Sequence, residues 1–257
     1  MATRDYFPKE HGAWAMLVQA SLLAVFLGPM VRLEHAVLVV TAAAVFIARA
    51  PVGSLRRGAV NRERVILWAA ILLVLAGSGA LILAFQLPLA LVISAVVVAA
   101  LVAIFNVRRT ERSTAAEVTA MLGFALLIPV GVAISGGAWE RHGVPIGLLT
   151  FLFFATSIPH VRAMVQIRKD AQSAAARRER LLSAVGALCV VGTALAARTA
   201  GFLGWLAVAA AALVVARPIL STAVAHRAKP VAIRSVGLIE LGLSSAYTAL
   251  IVVGERA

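Results

Sequence analysis

Long apolar stretches separated by short polar gaps run through the whole chain. Each stretch holds roughly the 20 residues that an α-helix needs to cross a hydrocarbon core about 30 Å thick. The pattern predicts an all-α, polytopic membrane protein of about nine transmembrane helices, forming a single integral membrane domain over residues 1–257. The nine stretches are 12–31, 36–52, 65–85, 87–105, 118–138, 143–161, 181–197, 199–216 and 235–254.

The positive charges fall mainly in alternate gaps between these stretches. Of the 24 Lys and Arg residues, all but Arg32, Arg141, Arg198 and Arg256 lie on the side that holds the N-terminus. Lys and Arg are retained in cytoplasmic loops. We therefore predict a multi-pass protein of the cytoplasmic (inner) membrane with its N-terminus in the cytoplasm.

Composition agrees with this class of protein. The chain is 62% hydrophobic, with a mean hydropathy of +0.98, and little of it is left for a soluble domain. A net charge of +13 on a soluble surface would suggest nucleic acid. Here the charge is spread over short loops, so we predict membrane lipids as partners and no nucleic acid. The single cysteine, Cys189, excludes an intrachain disulfide.

The boundary between the seventh and eighth stretches is the least certain. Arg198 interrupts the apolar run only once, and Gly201 and Gly204 help to mark a turn. The side of the membrane that holds the C-terminus depends on this boundary. The longer gaps, 53–64, 106–117, 162–180 and 217–234, all lie on the predicted cytoplasmic side, which favours that face for function.

An Arg-Ala-x-Val sequence occurs at the cytoplasmic ends of the second and sixth stretches, beginning at Arg49 and at Arg162. A duplication of four helices, with a ninth helix added, would explain this spacing. Duplicated bundles often place their binding site between the repeats. Coincidence in an Ala-, Val- and Arg-rich sequence is the alternative.

Polar residues in or beside the stretches are the candidate ligand-binding residues. Lys9, Glu10 and His11 precede the first stretch, where they would either bind an anionic headgroup or anchor the helix. His160 follows Pro159 at the end of the sixth stretch, and Asn106 follows the fourth, where it could add a polar contact.

Glu240 is the most informative charge because it lies inside the ninth stretch, where an unpaired carboxylate is costly. No cation lies three or four residues from it. We therefore expect a partner on another helix, with Arg49 or Arg162 at matching depth. The pair would serve either a ligand or helix packing alone.

The common catalytic motifs are absent. The sequence has no Walker A motif, no G-x-S-x-G elbow and no H-E-x-x-H. Asp5 and Asp170 are the only aspartates, so no loop holds a preformed aspartate cage for Mg²⁺. We predict no metal site and no cofactor, and the sequence leaves open whether the protein is an enzyme.

The segment Pro8-Lys9-Glu10-His11-Gly12-Ala13-Trp14, leading into Ala15-Met16-Leu17, resembles the N-terminal signature of the YwiC-like family. The length of this chain and its number of predicted spans also fit that family over the whole chain. The resemblance implies a bacterial membrane protein and assigns no activity.

More distantly, the nine-helix layout is similar to the UbiA-type membrane prenyltransferases. That resemblance implies two four-helix halves plus one helix around a lipid-open cavity, with catalytic loops after helices two and six. Asn106-Val107-Arg108-Arg109 resembles their approach to helix five, and His160-Val161-Arg162 falls at the start of their second motif. Where those enzymes carry Asp-rich motifs that hold Mg²⁺ and diphosphate, this chain has Arg49 and Arg162, whose guanidinium groups bind phosphate directly.

Three hypotheses follow. The protein binds an anionic or isoprenoid lipid, or acts on it without metal, on a UbiA-like scaffold, with Lys9, His11, Arg49 and Arg162 holding the headgroup. Alternatively, it transports or exports a small anion, with the internal repeat and Glu240 inside the membrane as the supporting features. A third hypothesis is a non-catalytic assembly partner of a membrane complex, and the sequence names no protein partner.

Overall fold

The computed structural model describes residues 11–56, 62–107, 113–225 and 233–256, and every element in these ranges is helical. Seven helical segments within them are long and apolar enough to cross a membrane. Two shorter apolar helices, Gly12–Phe26 and Leu89–Phe105, occupy the first and fourth predicted stretches. The prediction of a multi-pass α-helical membrane protein is confirmed, whereas the count of nine spans is not. The seven are Leu33–Val52, Arg62–Ala84, Thr114–Ile134, Trp139–Lys169, Ala174–Thr199, Trp205–Ala225 and Ser235–Arg256.

The chain divides into two compact units, Met1–Gly137 and Ala138–Ala257. This division does not establish the predicted arrangement of two four-helix halves plus one helix. The helices of the first unit are α1 (His11–Phe26), α2 (Leu33–Arg56), α3 (Arg62–Ala84), α4 (Leu89–Val107) and α5 (Thr114–Ile134). Within this unit α2 packs against α3, and α5 packs against both α1 and α4.

Small side chains allow the helices of the first unit to approach closely. Ala44 and Ala48 of α2 are buried against Leu72 and Ala76 of α3. In lipid, helices are not held together by the hydrophobic effect. Small residues at their interfaces stabilise the contact because they let the backbones come into van der Waals contact.

Helices α1 and α5 approach each other closely at Gly131. A Cβ atom at this position would overlap the backbone carbonyl of Ala24, so only glycine fits. The buried His35 Nε2 donates to the carbonyl oxygen of Gly131 over 3.1 Å, while its Nδ1 accepts from the backbone N–H of Arg32 over 3.0 Å. The imidazole therefore links the start of α2 to α5, with both ring nitrogens satisfied.

The second unit begins with a π-helical turn, Trp139–Gly143, and contains a second irregular turn, the 3₁₀ turn Leu213–Val215. Its helices are α6 (Val144–Ala155), α7 (Ser157–Lys169), α8 (Ala174–Thr199), α9 (Trp205–Ala212), α10 (Ala216–Ala225) and α11 (Ile233–Arg256). Within this unit α7 packs on α8, and α11 packs on α9 and α7.

The predicted boundary near Arg198 is confirmed. Helix α8 ends at Thr199, and Gly201 has φ +77°, a left-handed conformation that glycine adopts without steric cost. Gly204 then precedes α9 as its N-cap. Arg198 lies over the ring of Trp205 at 5.1 Å from its centroid, which holds the two sides of the turn together.

Two of the membrane-length segments of the second unit are discontinuous. The segment Trp139–Lys169 breaks at Thr156, between α6 and α7, and Trp205–Ala225 tightens into the 3₁₀ turn between α9 and α10. At the first break the hydroxyls of Thr156 and Ser157 donate to the carbonyls of Phe153 and Phe154. Pro159 also removes one backbone donor from the helix that follows. Local hydroxyl bonds of this kind compete with the helical pattern.

The helices extend further than the apolar pattern predicted. The gap expected at 162–180 begins inside α7, which continues to Lys169. The gap expected at 217–234 begins with α10, which continues to Ala225. The apolar pattern ends the sixth and eighth stretches just before Arg162 and Arg217, but both residues lie within helices. A single arginine does not end a transmembrane helix when its side chain finds partners inside the bundle.

Candidate functional site

A buried ion pair joins α10 to α11. Arg217 is 1% exposed, and the Glu240 side chain is 16% exposed. The Nε of Arg217 donates to Oε1 and Oε2 of Glu240 over 3.0 and 3.1 Å, and its Nη2 donates to Oε2 over 2.8 Å. The contact is thus bidentate, the strongest form of an arginine–carboxylate interaction.

The remaining donors of Arg217 reach the break between α6 and α7. Its Nη1 donates to the carbonyl oxygen of Phe153 over 2.6 Å and also to the hydroxyl of Thr156. The guanidinium carbon lies 4.3 Å from the centroid of the Phe153 ring. Because Arg217 itself follows the 3₁₀ turn of the other discontinuous segment, its side chain connects the two breaks.

His160 completes the cluster from α7. Its side chain is 0% exposed, and its Nε2 lies 3.5 Å from Oε1 of Glu240. The backbone of Arg217 also lies within interaction range of the ring, although neither ring nitrogen makes a hydrogen bond of ordinary geometry within the described part of the chain. Buried polar atoms are normally satisfied, so this imidazole beside a carboxylate is a candidate for proton exchange.

The cluster lies deep within the apolar segments. Glu240 is about 10 Å from the first residue of α11 and about 24 Å from its last, at 1.5 Å per residue. Arg217 is about 18 Å along its segment from Trp205 and about 12 Å from Ala225. Ionisable groups at such depth are rare in membrane proteins and commonly mark ion or substrate pathways.

An aromatic and hydroxyl contact continues from the cluster along α11. The ring of Tyr247 stacks on Phe153 with centroids 4.2 Å apart. Its hydroxyl lies 2.9 Å from Oγ1 of Thr150, and both side chains are fully buried. Phe153 therefore contacts both Arg217 of the ion pair and Tyr247 of the Tyr247–Thr150 pair.

The structure brings together two of the predicted site residues, His160 and Glu240. Arg162 lies two residues beyond His160 on α7 and is partly buried. Lys9 and Glu10 fall outside the described residues. The backbones of His11, Arg49 and Asn106 belong to α1, α2 and α4, and their side chains lie outside the described part.

The expected partner of Glu240 on another helix exists within the described part of the chain, and it is Arg217, an arginine not named from the sequence. In the apolar pattern Arg217-Pro218 interrupts the run, which predicts Arg217 as the first residue of a cytoplasmic gap. The signal that could have identified it is the return of apolar and small residues after Pro218, up to Ala225. That continuation places Arg217 inside a segment of membrane length.

No group of three or more His, Cys, Asp or Glu side chains within the described ranges is arranged to hold a metal ion. The charged chemistry of the cluster therefore comes from one guanidinium, one carboxylate and one imidazole.

These features define the class as an integral membrane protein with several apolar helices. The model of the family described as YwiC-like protein matches residues 7–132, about half of the chain. The chain is YwiC-like over this range, which confirms the resemblance of its N-terminal segment. No curated protein and no solved structure matches the chain, and the UbiA-type resemblance stays a prediction.

Proposed function

We propose that the protein is a proton-coupled transporter of a small anion, in which Glu240 binds the proton and Arg217 binds the anion. The observation that carries this proposal is the ion pair that connects the two discontinuous segments of the second unit. Transporters commonly build their substrate and ion sites at interrupted helices within the membrane, and a 3₁₀ stretch inside a helix often marks a hinge.

The coupling follows from charge balance at Arg217. With Glu240 ionised, the carboxylate occupies the Nε and Nη2 donors of the guanidinium. Protonation of Glu240 removes the counter-charge and leaves an unpaired guanidinium in a poorly hydrated interior, which is costly. A small anion that takes the same two donors restores neutrality. One proton and one negative charge therefore bind together and leave together.

His160 provides the route by which a proton reaches Glu240. The 3.5 Å between its Nε2 and Oε1 of Glu240 is longer than a normal hydrogen bond. A small movement of either side chain would close it. Since an imidazole has two nitrogens, the ring can gain a proton on one of them and release one from the other.

The test uses the full chain in proteoliposomes that contain a pH-sensitive dye, with an acidic external buffer and chloride, phosphate or citrate added singly. Wild-type protein should acidify the interior when the transported anion is added. Glu240→Gln should lower this rate by roughly tenfold or more, because an amide cannot exchange the proton. Glu140→Gln, at an exposed position of the same unit, is the matched control and should behave as wild type.

Anion-for-anion exchange at equal pH separates transport from coupling. Glu240→Gln should still exchange anions, because Arg217 remains. Proton-linked flux that survives in Glu240→Gln would contradict the proton role of Glu240. Absence of both flux and exchange in the wild type would contradict transport of these anions.

A second candidate function, binding of an anionic lipid, is favoured by the end of the α7–α8 hairpin. Arg168 and Lys169 end α7, and Arg177 and Arg178 lie near the start of α8. All four residues are exposed. Basic residues next to a membrane segment attract anionic headgroups, by about 1 kcal/mol for each Lys or Arg.

Lipid binding is tested by native mass spectrometry of the purified protein with phosphatidylglycerol, with phosphatidylcholine and with an isoprenyl diphosphate, the last with and without EDTA. The anionic ligands should be retained, and the isoprenyl diphosphate should be retained in EDTA. Arg168→Gln combined with Lys169→Gln should reduce retention several-fold. The control is Arg141→Gln. Arg141 is exposed and lies just before α6, at the other end of the segment Trp139–Lys169 from Arg168 and Lys169. Equal retention of phosphatidylcholine would count against a headgroup site.

A further inference from the structure

Glu255, in the last turn of α11, is a largely buried acid far from the ion pair. Its side chain is 12% exposed, and its Oε1 is buried with no hydrogen-bond partner among the described residues. Its Oε2 lies 3.9 Å from Nδ1 of His142, whose side chain is 48% exposed. A carboxylate oxygen withdrawn from water without a donor is unfavourable, so its burial calls for a functional explanation. The half-exposed imidazole beside it connects the carboxylate to solvent.

The surroundings of Glu255 contain few other charges. Helix α9, which packs on α11, carries no ionisable residue, and Gly254 lies against Leu206 at its start. The other ionisable side chains near this end of the unit are Glu140 and Arg141 beside His142, Arg198 at the end of α8, and Arg256 beside Glu255. Among the described residues, the cationic or imidazole side chain that lies within ion-pair distance of the Glu255 carboxylate is His142.

Glu255 and Glu240 lie on one face of α11. Residues spaced by three and four positions between them share that face. Ser244 and Thr248 are less than one-tenth exposed, and Tyr247 is fully buried with its hydroxyl paired to Thr150. The polar row, interrupted by Ile251, spans about 22 Å. It thus covers most of a hydrocarbon core about 30 Å thick.

We propose that Glu255 and His142 form a second proton-binding site, through which protons enter or leave the unit on their way to and from Glu240. This inference rests on the proposed proton-coupled transport and adds the place where the proton meets solvent. A proton from water binds His142 or the Glu255 carboxylate. The same number of protons then reaches Glu240 along this face of α11, with water carrying them past Ile251, where the row has no polar side chain, so the path gains and loses none.

The inference is tested on the full chain by two measurements. Infrared difference spectra between an acidic and an alkaline buffer should contain two carboxylic-acid carbonyl bands, one lost in Glu240→Gln and the other in Glu255→Gln. In proteoliposomes, Glu255→Gln should lower anion-dependent proton flux by roughly tenfold or more. It should leave anion exchange at equal pH within about twofold of wild type, because the anion site at Arg217 is intact.

His142→Gln, at a half-exposed position where folding is not at risk, should reduce proton flux in the same direction, and Glu140→Gln should not. Proton flux that is lost in Glu240→Gln but unchanged in Glu255→Gln and His142→Gln would overturn this inference and leave the proposed function standing. Equal loss of flux and exchange in Glu255→Gln would show a structural role and also overturn it. If the wild type moves neither protons nor anions, the proposed function fails and the inference fails with it.

Discussion

Arg217 is the residue on which the charged cluster of the second unit depends. It is buried, and its guanidinium contacts Glu240 on α11 and the carbonyl of Phe153 at the end of α6. A buried ion pair contributes little net stability, because desolvation offsets most of the attraction between the charges. Removing one member alone is different, since the other charge is then left without a partner.

This difference gives a prediction for stability. Arg217→Met should lower the free energy of unfolding by about 3 kcal/mol, because Glu240 is left without its cation. The double variant Arg217→Met with Glu240→Gln should recover most of that loss, since neither charge is then buried alone. Unfolding in mixed micelles at constant pH measures both.

The control for this prediction is Arg141→Met, at an exposed position of the π-helical turn, which should change the unfolding free energy by less than about 1 kcal/mol. Equal destabilisation in the single and double variants would mean that Arg217 acts through packing on Phe153 and not through its charge.

At the scale of elements, helix interruptions and close approaches have different physical origins. The break at Thr156 arises where hydroxyls bond to carbonyls three residues back, with Pro159 soon after. The close contact of α1 with α5 arises because Gly131 has no side chain to separate the backbones. The break at Thr156 leaves the carbonyl of Phe153 available for Arg217. The contact at Gly131 instead brings two continuous helices together.

These two kinds of element suit different tasks. The second unit has two discontinuous segments and a charged cluster between them, the features on which the proposed transport function rests. In the first unit, α2 and α3 pack through alanines, and the buried His35 is satisfied at both nitrogens. Satisfied polar groups and dense contacts favour a single arrangement.

At the scale of the whole molecule, the family match ends close to the residue at which the first unit ends. The YwiC-like match covers residues 7–132, and the first unit ends at Gly137. The family model therefore matches the unit that lacks the Arg217–Glu240 pair. The proposed activity rests on the second unit, to which the match does not extend.

The orientation of the molecule in the membrane is a prediction for the whole chain. Exposed basic residues lie on both sides of the turn between α7 and α8, whereas Arg198 is the only cation near the turn after α8. Because loops rich in Lys and Arg stay in the cytoplasm, the first turn should be cytoplasmic and the second should face outward.

Cysteine labelling measures this orientation. In a Cys189→Ala background, Ala200→Cys should react with a membrane-impermeant maleimide on intact cells. Gln172→Cys should react only after the cells are permeabilised, and both positions are exposed. The opposite pattern would invert the predicted topology, and labelling of both positions on intact cells would mean that α8 does not cross the membrane.

The sequence by itself determined the class of protein, most segment positions and the turn near Arg198, because hydropathy and glycine act over a few neighbouring residues. It also identified Glu240 as a charge that needed a partner. Only the tertiary structure decided that the partner is Arg217, 23 residues away, and that His160 lies beside the pair. Helical periodicity relates residues up to about four positions apart. Contacts between helices depend on how the whole unit packs, and no local pattern records that packing.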